Sequence, residues 1–228
     1  MFIFPAHRFN PDPVTAEPVP RKVSGGVALN DVEDEIITDG GGRWQISYGE
    51  FDVDEPELSR LWTQWQGFIG RGEPFLVPIL SLETAPRPTA GGGLMDPSNL
   101  YDDDDAFPTE VRFGTPYIIA QLAGDVPLRG TTMTINVIQG ARIKGGEKFS
   151  IGVRGFAIER VLSRSGQQAT VLVNPPSRKA LPAGSPVNFE WPVVQCRAVA
   201  GQNLAVAMSL GMYGSTSISF VEDFSDAG

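Results

Sequence analysis

The stretch from Gly40 to Leu80, GGGRWQISYGEFDVDEPELSRLWTQWQGFIGRGEPFLVPIL, leaves few choices for the fold. Trp44, Ile46 and Tyr48 alternate with Arg43, Gln45 and Ser47, the period of a half-buried strand. Leu58, Leu61, Trp62, Trp65, Phe68 and Ile69 then recur at helical spacing as one wide apolar stripe. A helix is expected over 55–70. Asp54 stands as its cap with Glu57 three residues on, the spacing of a capping box. Pro56 falls in the first turn, where it is tolerated, and Gly70, Gly72 and Pro74 end the helix. PFLVPIL reads as a strand, and Pro78 inside it points to a sheet edge, because proline cannot donate to a ladder. No second stretch carries a helical stripe of this quality. A single apolar helix must therefore find its partner surface on β structure.

The rest of the chain supplies that structure. It has 26 glycines and 19 prolines in 228 residues, which suits many turns between short strands. TEVRFGTPYIIAQL and TTMTINVI are strand candidates, the latter with Met133, Ile135 and Val137 on one face. Residues 145–176 read as three short strands around turns at Gly152–Gly155 and Ser165–Gly166. LPAGSPVNF is a turn into a strand, and WPVVQCRAVA is another. Near the end Thr216, Ile218 and Phe220 alternate against Ser215, Ser217 and Ser219. The spacing argues for two β units. One holds the helix and recruits the C-terminal strands; the other, over 125–198, has about five short strands, the size of a small barrel. Residues 1–22 carry five prolines and read as an extended arm or edge segment, loose or laid across a neighbouring subunit. Residues 82–108 read as a long loop with Gly91–Gly93 and four consecutive aspartates, Asp102–Asp105.

Composition removes several function classes. The formal net charge is −9, and a protein that grips phosphate backbones normally shows a basic face, so no direct nucleic-acid binding is expected. Cys196 is the only cysteine, which excludes an internal disulfide and a thiolate metal cluster. MFIFPAHRFNPDPV lacks the pattern of a secretory signal, and no run approaches eighteen apolar residues, so no membrane insertion is expected. The chain is expected to fold in a reducing cytoplasm.

The chemical candidates each have a plainer reading. His7 is the only histidine and lies in the proline-rich arm; a nucleophilic triad would have to be built on it, and a surface imidazole is the simpler reading. Cys196 sits in VVQCRAV on a face with Val194 and Ala198, as a buried inert thiol would. Asp102–Asp105 could attract Ca²⁺ but lacks the spacing of a calcium loop. Glu33, Asp34, Glu35, Asp39, Glu50, Asp52 and Asp54 are available for glycoside hydrolysis, yet nothing in the sequence sets a pair at a working separation. GGGR and KGGEKFS lack a phosphate-loop or dinucleotide fingerprint and read as turns. Trp62 and Trp65 could stack a sugar, but their place in the stripe favours core packing.

GGGRWQISYGEF followed by a helix with W..W..F..RG.PFLVP resembles the N-terminal region of tail-tip proteins of long-tailed bacteriophages and related gene-transfer particles. The segment from Gly140 to Val199, with its ATVLVNPPSRKALPAGSPVNFEWP core, is similar to a later block of those proteins, and GSTSISFVEDF resembles their C-terminal end. The blocks run in order through most of residues 40–224, and the acidic loop at 82–108 departs from the pattern. The resemblance implies a distal tail protein or a close baseplate relative. Such proteins form hexameric rings at the tail tip of the virion and join the tail tube to the tip hub and receptor-binding fibres. It implies a mainly β fold: a β-sandwich ring domain with one α-helix over 1–124, a small inserted OB-like β-barrel over 125–198, and C-terminal strands over 199–228 returning to the ring domain. It implies no catalytic, cofactor-binding or metal-binding residue and no cofactor. Two rivals differ in class. One is a carbohydrate-binding module using barrel aromatics such as Phe149 or Phe156, and the other is a peptidoglycan-degrading tail enzyme.

Overall fold

The computed structural model describes residues 1–19, 22–27, 33–37, 42–81, 89–90, 93–94, 118–208 and 214–225, with backbone alone at 22–27, 33–37, 89–90, 93–94 and 207–208. One helical turn, α1 (Ala6–Phe9), precedes β1 (Asp12–Val19), β2 (Lys22–Val27), β3 (Glu33–Ile37) and β4 (Arg43–Asp52). Helix α2 (Pro56–Gly70) leads to β5 (Phe75–Pro78), β6 (Thr89–Ala90) and β7 (Gly93–Leu94). Then come β8 (Ile119–Leu122), β9 (Thr132–Gln139), β10 (Lys148–Ile151), β11 (Arg154–Ser165), β12 (Gln168–Asn174), β13 (Pro186–Val187), β14 (Val193–Ala198), β15 (Ala207–Met208) and β16 (Gly214–Glu222). The fold is mainly β, a curled half-barrel sheet and a nearly closed barrel.

The half-barrel has the order β1-β4-β16-β14-β5, with β15 on β16. Its inner face is what the alternations anticipate: Trp44, Ile46 and Tyr48 from β4, and Ile218 and Phe220 from β16, are all buried. β5 is indeed an edge strand, as Pro78 requires. Helix α2 covers this aromatic face. Trp62 is fully buried and meets Phe9 and Phe51 edge-on at 5.8 and 5.1 Å, while Trp65 meets Phe4 at 5.1 Å and Phe75 at 5.3 Å. Of the stripe, Trp62 alone is fully buried, and the other five side chains are only partly so. The helix packs on the aromatic core through Trp62 and Trp65 and keeps its flanks in solvent.

One local expectation is corrected, and the edge-segment reading of the N-terminal stretch holds. The helix starts at Pro56 after an extended Glu55, and no side chain caps it, so neither Asp54 nor Glu57 forms the expected box. Proline at the first helical position already removes one amide that would otherwise need a partner. The N-terminal arm does not hang free. Phe4 is 1% exposed and packs among Phe9, Tyr48, Trp65, Phe75 and Phe220. Leu76 bonds on both sides of Ile3 and so extends the β5 edge, Phe4 N–H to Leu76 O at 2.8 Å and Leu76 N–H to Phe2 O at 2.9 Å. Burial of two phenylalanines outweighs the proline-rich composition around them.

The barrel has the order β10-β11-β12-β9-β8-β13. Ser150 and Asn188 exchange backbone bonds of 2.9 and 2.8 Å, which brings the chain just past β13 back to β10, and Val126 and Leu181 make a second reciprocal bridge. Its core is a separate cluster that includes Leu122, Met133, Ile135, Val137, Phe149, Phe156, Val171 and Phe189. Gly152 and Gly166 take positive φ of 60° and 62° at the two hairpin turns. The domain limits expected at 125 and 198 move. β8 pairs with β9 inside the barrel, whereas β14 pairs with β16 and β5 in the half-barrel. The barrel sheet thus spans 119–187, and the return to the first sheet begins with β14. Strand β14 is buried from Val193 to Cys196 on both faces, and the barrel meets it where Gly155 lies against Val194.

Candidate functional site

The residues singled out for chemistry do not converge. His7 is exposed on α1. Cys196 is fully buried, and burial pushes its thiol well above the ordinary value, so it stays protonated. Glu50, Asp52 and Asp54 are exposed at the end of β4 and beyond; Glu33, Asp34 and Glu35 lie on β3, described by backbone alone. Asp39 and Asp102–Asp105 lie outside the described residues. Among the described residues no group of three or more His, Cys, Asp or Glu is placed to hold a metal ion, and no helix is long and apolar enough to cross a membrane.

KGGEKFS is a turn closed by its own carboxylate: Glu147 accepts from the backbone amides of Lys144 and Gly145, at 2.5 and 2.7 Å. The amides that could have cradled an anion are already satisfied. Phe149 and Phe156 are not available to a glycan. Both are buried and stack on each other at 5.5 Å, with Phe149 also against Phe189 at 5.2 Å. Trp62 is likewise sealed in the core, and Trp65 is covered by Phe4, Phe68 and Phe75.

What the structure does build is a polar junction between the two sheets. Trp44 donates its backbone amide to Glu222 Oε2 at 3.0 Å and its indole Nε1 to the Gly155 carbonyl at 2.8 Å. Arg154 Nη1 lies 3.6 Å from Glu222 Oε1 with both side chains almost fully buried, and donates to the Asp223 carbonyl at 2.5 Å. Arg178 crosses the Phe224 ring at 4.5 Å, a cation–π contact. Gln195, buried on β14, donates to Asp223 Oδ2 at 3.1 Å, and Arg197 pairs with Asp223 Oδ1 at 3.1 Å. A further tie runs from Lys148 on β10 to β1, where its Nζ donates to the Ala16 carbonyl at 3.0 Å and to Glu17 at 2.7 Å.

The electrostatics of the junction are divided. Burial raises the Glu222 carboxyl above its ordinary range; the Trp44 amide and the Arg154 and Arg178 guanidiniums pull the other way and do not prevail. At 3.6 Å the Arg154 pair is too loose to offset the lost hydration. Burial also lowers the Arg178 guanidinium from its ordinary value. Asp223 is opposite: burial opposes its charge, but bonds from Ser225 and Gln195 and the Arg197 cation outweigh it and hold its carboxyl low. Apart from Trp44, none of these residues stood out in the sequence. One signal was present: Glu222 continues the inward face of Thr216, Ile218 and Phe220, and a carboxylate at an inward position needs a partner.

The molecule is also divided in charge. Residues 118–189 hold nine Lys or Arg against three Asp or Glu, net +6; the rest of the chain holds nine against twenty-four, net −15. No protein-family model and no curated protein matches this chain.

Proposed function

We propose that this chain is a structural virion protein, a distal tail or baseplate component that forms a ring, most simply of six copies, and joins a tail tube to a tip hub and fibres. The observation that carries the reading is the chain path. β14 and β16 return to the sheet begun by β1 and β4, so a half-barrel bearing one helix holds a small barrel as an insertion between β5 and β14. That is the arrangement the tail-tip resemblance implies. The polar junction suits the role: Trp44, Gly155, Arg154 and Glu222 fix the barrel on the half-barrel, as a rigid joint between layers of an assembly requires. The glycan-binding reading has lost the aromatic residues named for it, since Phe149 and Phe156 are core.

The test is the size and shape of the purified protein alone and with tail-tube protein, by light scattering and negative-stain electron microscopy. Closed rings with repeated copies are expected. A strictly monomeric species at high concentration, even with tube protein present, overturns the reading. In intact particles, antibody labelling is expected at the tail tip, repeated around the axis.

A further inference from the structure

Beyond Ile158 the free side of β11 pairs with no described strand. β10 pairs with β11 only from Arg154 to Ala157, and the backbone of Gly146 and Glu147 reaches no further than Ile158. From Arg160 to Ser165 the strand keeps its ladder to β12 on one side, and no described strand pairs with the other. A groove of ≈ 680 Å³ runs there between Lys144–Gly146 and residues 159–164. Lys144, Arg160 and Arg164 are exposed beside it with no ion pair to a described residue, against one exposed carboxylate, Glu159, and Leu162 stands 46% exposed among them.

We propose that this edge is a docking site for an extended acidic strand, and that its occupant is β3 of a second copy. An unpaired row of backbone amides and carbonyls is a template for one more strand. Cations along the edge repel the same edge of another copy and favour carboxylates, so they select the partner. β3 reads Glu33-Asp34-Glu35-Ile36-Ile37 and, among the described strands, pairs with β2 alone. The sequence of its acidic half is complementary in charge to the three cations, and two isoleucines follow it. A contact between two different patches is heterologous and closes into a ring when the rotation allows. The inference rests on the ring reading and names its contact.

The experiment titrates a labelled peptide of residues 31–39, DVEDEIITD, with dilute full-length protein at low salt and reads fluorescence anisotropy. Saturable binding is expected, weakened about tenfold or more by Arg160→Glu/Arg164→Glu and by a peptide with its acids changed to amides. Both arginines are exposed, so the variant is expected to keep the wild-type melting temperature. No binding, or undiminished binding by the double variant, overturns the proposal. Equal affinity for a polyglutamate of the same length leaves only an unselective anion site and overturns the assignment to a second copy. In the assembled protein, Asp34→Cys with Leu162→Cys should give an intermolecular disulfide. Closed rings without that crosslink overturn this contact alone, whereas a wild type that never assembles with tube protein overturns the ring reading.

Discussion

The indole Nε1 of Trp44 donates to the carbonyl of Gly155 at 2.8 Å, so a half-barrel strand and the longest barrel strand are joined by one side-chain bond. The approach is this close because residue 155 has no Cβ. One built there would stand 2.5 Å from Val194 Cγ2, 3.0 Å from Trp44 Nε1 and 3.1 Å from Ile79 Cδ1.

Gly155→Ala should therefore cost ~1–3 kcal/mol through overpacking. Trp44→Phe, which removes the donor and leaves a buried carbonyl without it, should cost ~1–3 kcal/mol. The two effects share one contact, so the double variant should lose less than their sum. Urea unfolding midpoints measure all three, and strict additivity would show that the two sheets meet differently.

The helix and the arm should prove equally structural. Trp62→Ala and Phe4→Ala each remove a side chain 1% exposed and should cost ~3–5 kcal/mol. Trp65→Ala, from a partly buried site, should cost less. A loss below ~1 kcal/mol at Phe4 would mean that the arm leaves the core and serves a neighbour instead.

The pH dependence of stability should carry two opposed signs from adjacent residues. Glu222 holds its proton more tightly folded than unfolded. Its contribution is full below the unfolded pKa and lost as pH rises through the raised folded one. Asp223 has a depressed folded pKa, so its contribution is present above the unfolded value and lost as pH falls through the folded one. As pH falls through the raised Glu222 pKa toward the ordinary glutamate range, wild type should gain stability relative to Glu222→Gln. At lower pH, wild type should lose stability relative to Asp223→Asn. Chemical denaturation across this range reads both, and a pH-independent difference between wild type and Glu222→Gln would refute the first. Arg154→Met leaves the buried carboxylate without its cation and should cost ~3–5 kcal/mol at neutral pH.

Phe149→Ala should destabilise the barrel by ~3–5 kcal/mol as a core truncation. Thermal melting and glycan-array binding on the same variant separate this from a recognition role. A stable variant that loses glycan binding would restore the carbohydrate reading.

Residue order alone marks the local elements and most of their inward faces. Period two marked Trp44, Ile46 and Tyr48, then Met133, Ile135 and Val137, then Thr216, Ile218 and Phe220, and all nine are buried. Period 3.6 marked α2, and glycine marked the turns at 152 and 166. These signals are legible because they report one element's own geometry. Packing between distant elements draws the proline-rich arm into the core through Phe4 and Phe9. It alone placed β14 in the half-barrel and buried Gln195, Arg154 and Glu222 between two sheets. Alternation says which side of a strand is apolar, but not which of its residues a second sheet will meet. Those meetings, such as Trp44 with Gly155, 111 positions apart, are chosen by how whole sheets pack.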